Sequence, residues 1–352
     1  MTRLATWMVL LASVMIVGWT DTPAQAQKPP TDFTELSLEE LMELDVLSID
    51  VLGTHTHQAG QWMLGYRFMF MSMDGNRDGT KRISDSDVLK RFAVAPTDMT
   101  MHMHMPMVMY APSEDLTLMA MFPYIRMSMT HITRENVRFT GTSEGIGDLQ
   151  VNALYTFYRY KRWVHRFVFN AGFSFPTGSI DEQAFGADRA KGKARLEYPM
   201  QMGSGTFDLL PGIVYFGQTD TWGWKAEVIP TIRLGKNSHG YRLGNRYHLS
   251  AGGARKLTDW LSLSAQIDGQ IWEHIHGADP ALDPEEEPTK DPNIQGGKRI
   301  DLLPGVNFYV PKGRLKGHRF AIQGGVPIYQ SLNGPQLAVD WKLTVGWQWT
   351  FY

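Results

Sequence analysis

The chain has 352 residues, a formal net charge of −2, 43% hydrophobic and 12% aromatic residues, and no cysteine. The near-neutral balance gives no footing for nucleic acid, and the absence of cysteine excludes both a disulfide framework and a lipid-anchored amino terminus. After the first 26 residues no apolar run is long enough for a helical span, so any crossing of a bilayer falls to strands.

Met1 to Ala26 reads as a secretory signal peptide. Arg3 supplies the basic start, Leu4 to Trp19 the apolar run, and Ala24-Gln25-Ala26 the cleavage site, so the mature chain is expected from Gln27. Residues 27–60 are expected to form a periplasmic segment. Within it Ser37 and Glu40 make a capping box, which predicts a short helix between Thr34 and Val51.

From residue 61 to Tyr352 the pattern alternates apolar and polar with period two, in stretches of about a dozen residues. Twelve strands are predicted, near 61–73, 99–110, 116–129, 148–159, 164–176, 201–216, 222–234, 246–256, 259–272, 298–310, 318–329 and 338–352. Short turns (Ala111 to Asp115, Tyr160 to Trp163, Lys256 to Asp259) alternate with longer hydrophilic loops (74–98, 130–147, 177–200, 235–245, 273–297). Such alternation predicts an all-β, antiparallel transmembrane barrel with its short turns in the periplasm. On the fourth strand Leu149, Val151, Ala153, Tyr155 and Phe157 should meet lipid, with Asp148, Gln150, Asn152, Thr156 and Tyr158 inside. The last strand should turn Leu343, Val345, Trp347, Trp349 and Phe351 outward.

Several segments resemble a family of bacterial outer-membrane proteins described as transporters or as MetA-pathway-of-phenol-degradation-like proteins. They are Gly75-Asn76-Arg77-Asp78-Gly79-Thr80, Met109-Tyr110-Ala111-Pro112, Gly145-Ile146-Gly147-Asp148-Leu149, Phe175-Pro176-Thr177-Gly178 and Gly203-Ser204-Gly205-Thr206-Phe207-Asp208. The resemblance implies a β-barrel with a transport or channel role and names no substrate.

Arg67, Asp148, Gln150, Asn152, Lys225, Glu227, Arg233 and Asp268 are the expected lumen residues that set selectivity. Fourteen of the seventeen methionines after residue 26 lie between Met63 and Met129. Met69, Met71, Met73, Met127 and Met129 are expected inside. On the second strand either the methionines from Met101 to Met109 or the pair His102 and His104 must face lipid; the reading adopted sets the histidines inward. Thioether and imidazole together suit soft Cu(I), so copper is a candidate ligand; methionine as flexible apolar filler is the alternative. His55-Thr56-His57 and His274-Ile275-His276 lie at the ends of that route.

Asp74, Asn76, Asp78, Thr80 and Asp85 carry the spacing of a calcium loop, with Ser84 to Arg91 as a following helix; a tight turn of Asp, Asn and Gly is the alternative. Glu285-Glu286-Glu287 reads as a solvated charge run. No catalytic motif is present, so no enzyme is expected. The expected partners are the lipid bilayer with lipopolysaccharide, the outer-membrane assembly machinery, and a small-molecule or metal-ion solute. The resulting reading is an outer-membrane transporter or channel for small solutes. A copper-handling barrel and a non-conducting structural barrel are the alternatives.

Overall fold

The structure is a computed structural model that describes residues 53–160 and 164–352. The expected signal peptide, the helix between Thr34 and Val51, and most of the turn from Tyr160 to Trp163 lie outside the described residues.

Among the described residues sixteen strands form in chain order: β1 (Trp62–Gly79), β2 (Lys81–Ile83), β3 (Val94–Tyr110), β4 (Leu116–Met121), β5 (Tyr124–Thr133), β6 (Arg138–Ile146), β7 (Leu149–Tyr160), β8 (His165–Phe175), β9 (Gln183–Phe185), β10 (Lys193–Arg195), β11 (Phe207–Gln218), β12 (Trp222–Leu234), β13 (Arg246–Thr258), β14 (Leu261–Trp272), β15 (Gly297–Tyr309) and β16 (His318–Phe351). A short helix, α1 (Asp85–Leu89), follows β2. The Ser84 and Asp87 side chains cap it reciprocally.

The sheet closes on itself because β1 pairs antiparallel with both β3 and β16. β16 carries two arms: Arg319 to Leu332 pairs with β15, and Leu337 to Phe351 pairs with β1. A straight strand of its 34 residues would be about 110 Å long, far beyond a membrane about 30 Å thick. The chain doubles back near Gly334, and the Gln330 side chain bonds both the N–H and the carbonyl of Val339 across the hairpin. The ring therefore holds eleven elements, or twelve arms when the two of β16 are counted separately, and the all-β antiparallel barrel expected from the alternation is the fold.

Side chains divide as a barrel in lipid requires. Trp62, Leu64, Tyr66, Val151, Tyr155, Leu263 and Ile267 are exposed on the outer face, while Asn152, Ser262, Ser264 and Gln266 are buried on the inner one. Aromatic pairs such as Trp62 on Tyr110, 4.4 Å between centroids, and Trp260 on Phe308, 6.3 Å, mark the rim. On β7 one residue departs from the expected alternation. A register shift between Thr156 and Tyr158 turns Tyr158 outward against Phe167.

Two breaks shape the interior. Pro123 lacks an N–H and separates β4 from β5, and Gly147-Asp148 separates β6 from β7. Below the breaks β4 joins β3 to β7; above them β5 and β6 continue outward from β3. Among the described residues no strand of the ring pairs with the far edge of β6, and β9 lies against it. Much of what read as long loops at 74–98 and 130–147 is strand. By contrast, the segment between β8 and β11 folds inward.

A two-sided lumen as the candidate functional site

The inner face of β1, β3 and β4 is built of methionine. Met63, Met105, Met107, Met109 and Met121 pack with Leu154, Val168 and Val214 from β7, β8 and β11, and Met69, Met103 and Met119 extend the layer. A second layer joins Met99, Met127 and Met129 to Leu196, Met200 and Met202 of the inturned segment between β8 and β11, with Met73 beside it. Met71 is also buried. The thioethers expected inside are therefore inside, and unbranched side chains fit so uneven a packing.

His102 and His104 are not inside. The sequence reading turned them inward, and the structure reverses it: they lie on the outer face among Phe68, Phe70, Tyr66 and Tyr124. The Tyr66 hydroxyl meets the His104 Nδ1 at 2.6 Å. Because the odd positions of β3 from Met99 to Met109 all carry apolar sulfur that packs across the lumen, the even positions beside them must face out. Hydrogen bonding and ring contacts lower the cost of imidazole there.

The opposite wall, β12 to β16, is polar and ion-paired. Lys225 Nζ lies 2.9 Å from Glu227, which accepts a bond from the Ser250 hydroxyl. His248 meets Asp268 at 2.5 Å. Asp301 is shared by Arg299 at 3.1 Å and Lys342 at 2.7 Å, and Arg233 pairs with Asp208. Arg67 reaches instead toward sulfur, with Met105 Sδ at 3.3 Å and Met121 Sδ at 3.7 Å. Gln150 and Asn152 stand in register beside Ser174 and Gly172.

Where the two walls meet toward the outer end they enclose a cavity of about 340 Å³, within the range of small-ligand sites. Met73, Met99 and Met129 line one side; Arg233, Arg246, Arg299 and Trp272 line the other. Arg246 makes no ion pair among the described residues. Its guanidinium lies 5.8 Å from the Trp272 ring centroid, and the residue lines the cavity.

Asp148 has a different role from the one its spacing suggested. It sits at the break between β6 and β7, where its carboxylate accepts the Gly178 N–H at 3.0 Å and both the N–H and hydroxyl of Ser204 at 2.8 Å. Those bonds fasten both ends of the inturned segment. Gly178 and Gly203 make the crossing feasible: a Cβ on Gly203 would lie 2.5 Å from the Gly178 carbonyl oxygen.

At the end of the barrel where Gln61 meets Tyr352, the chain from Gly53 to Gln61 enters the barrel. The His57 N–H bonds the Thr117 hydroxyl at 3.0 Å, and Arg166 donates to Thr56 at 3.2 Å. Burial, reinforced by His55, Arg319 and Arg166, holds the His57 imidazole well below its ordinary pKa of 6.5.

The calcium spacing belongs to a hairpin instead of a wrapping loop. Asn76, Arg77 and Asp78 pair with Ile83, Arg82 and Lys81 around Gly79-Thr80. Asn76 is committed to the Pro96 carbonyl and to Asp85, and Asp78 to Arg91, so Asp74, Asn76, Asp78, Thr80 and Asp85 do not surround one point. The α1 helix does follow, as expected. The charge run is corrected too: Glu287 is buried beside His131 and Glu197, a grouping that no local spacing could reveal.

A closed antiparallel barrel with an apolar outer belt and a polar wall inside belongs to the class of outer-membrane barrels. The family model described as "Putative MetA-pathway of phenol degradation" matches residues 74–285, more than half of the chain, and the chain belongs to that family. In fold it is similar to an outer-membrane channel from Pseudomonas putida F1, with a TM-score of 0.59, 13% identity, and coverage of 86% of this chain and 100% of that one. A fainter likeness, TM-score 0.43 at 12% identity over 86% and 91% of the two chains, is to the translocator domain of autotransporter NalP from Neisseria meningitidis. No curated protein is significantly similar in sequence.

Proposed function

We propose that the protein is an outer-membrane channel or transporter that passes small organic anions with an apolar body. The observation that carries this reading is the two-sided cavity, with thioethers on one wall and the guanidinium groups of Arg233, Arg246 and Arg299 on the other. An apolar body gains dispersion contacts and loses water at the methionine wall, while a carboxylate finds donors in a fixed fork opposite. The hydrophilic ladder from β12 to β16 continues the polar side of the path. Proteoliposome swelling tests this. Small carboxylates should enter several-fold faster than amines of the same size; equal rates, or faster amines, contradict the reading.

A second reading rests on sulfur. The His55 ring nitrogen lies 3.4 Å from Met63 Sδ, at the edge of the methionine layer. Thioether and imidazole in contact are ligands for Cu(I). On this reading Ag(I) binds the folded barrel, binding survives His102→Ala with His104→Ala, and it falls at least tenfold when Met63, Met105 and Met107 are changed to Leu. Calorimetric titration of the three proteins decides it; binding indifferent to the Met→Leu changes removes the soft-metal role.

A further inference from the structure

We propose that His131, Glu197 and Glu287 form a zinc site that fastens two inturned outer segments to the barrel wall. His131 stands near the outer end of β5, opposite Pro96 of β3. Glu197 comes from the segment between β8 and β11, and Glu287 from the segment between β14 and β15. All three are buried, at 1%, 3% and 2% exposure.

The donor atoms converge on one point. His131 Nε2 lies 3.4 Å from Glu197 Oε1 and 3.3 Å from Glu287 Oε1. Ligands bonded to zinc at about 2.0–2.1 Å with tetrahedral angles stand about 3.3–3.4 Å apart, so both separations match the edges of a zinc coordination shell. One imidazole and two carboxylates leave a fourth position for water, and no cysteine is needed.

These contacts are close but poorly aligned for plain hydrogen bonding. Neither His131 ring nitrogen has a hydrogen-bond partner, and Glu197 Oε1 has none either, although all of these atoms are shielded from solvent. A buried polar atom left so is costly, and a cation among the three would satisfy His131 Nε2 and Glu197 Oε1. The surroundings hold the ligands in place. The Phe139 ring stacks on the His131 ring at 4.9 Å, and the Thr289 hydroxyl bonds Glu287 Oε1. Lys290 approaches the far oxygen, Glu287 Oε2, at 3.9 Å and leaves Oε1 turned toward the histidine.

Zinc here would join the wall, the segment carrying Met200 and Met202, and the outer segment above them. Metal occupancy then sets how firmly the outer end is closed, apart from whatever passes through the cavity.

The test uses the full barrel, folded in detergent, stripped with chelator and titrated with Zn(II) alone. Wild type should bind one zinc and gain several degrees of thermal stability, reversed by chelator. His131→Gln and Glu197→Gln, each verified as folded by its resistance to unfolding in detergent without heating, should bind at least tenfold more weakly. No binding by wild type, with the three groups joined by a proton alone, overturns the proposal. So does undiminished binding by both folded variants.

Discussion

Replacing Asp148 by Ala is expected to widen the conducting path through the barrel. Its carboxylate accepts three bonds that hold Gly178 and Ser204, the two ends of the inturned segment, against the break between β6 and β7. Hydrogen bonds to a charged group contribute about 1.5–3 kcal/mol each, so even with incomplete additivity the loss is about 3 kcal/mol or more. A shift of that size changes the ratio of open to closed forms by about two orders of magnitude. The segment carries Leu196, Met200 and Met202 into the outer methionine layer. Its release should appear as long-lived, larger current steps in a planar bilayer, with the barrel's heat resistance nearly unchanged because no strand pairing is lost. Conductance identical to wild type would mean that the segment does not control the path.

The second large effect is expected at Arg246. Arg233 and Arg299 each have a carboxylate, Asp208 and Asp301, whereas Arg246 has none among the described residues and faces the cavity beside Trp272. An unpaired guanidinium there acts directly on a passing charge. At about 6 Å and an effective dielectric constant of about 20, two unit charges interact by about 3 kcal/mol, and water in the cavity reduces this to about 1–3 kcal/mol. Arg246→Glu, which reverses the sign, should therefore lower the anion-to-cation permeability ratio about tenfold to a hundredfold. The effect should fade as salt rises. A ratio unmoved by the substitution would place the selective element elsewhere, for example at Lys225 or Arg319.

The barrel was legible because its signal repeats. The ring strands among β7 to β16 expose alternate apolar residues to lipid, and a period of two is hard to mistake over a dozen residues. The polar wall followed for the same reason, since Lys225, Glu227, Arg233 and Asp268 lie in phase with the buried positions of their strands. β3 was misread because both of its faces are expensive in some way. Imidazole in lipid is costly, and the Tyr66 hydroxyl and the Phe68 and Phe70 rings that lower this cost belong to another strand. Asp74 to Thr80 misled for a local reason: Asp, Asn and Gly serve a hairpin as readily as a calcium loop.

The rest was invisible for a geometric reason. The work of Asp148 and the meeting of His131, Glu197 and Glu287 depend on segments that fold into the barrel, and nothing in a loop's composition says which way it turns. Arg246 looked like an ordinary strand end. Only closure of the ring sets it across from Met73, Met99 and Met129.

The most direct test of the two-sided lumen is the reversal potential of the Asp148→Ala barrel in a planar bilayer under a steep potassium chloride gradient. A two-sided lumen gives current with a reversal potential on the anion-selective side, moving toward cation selectivity when Arg246→Glu is added. Cation selectivity in the first protein, or no current from a folded and inserted barrel, would contradict it.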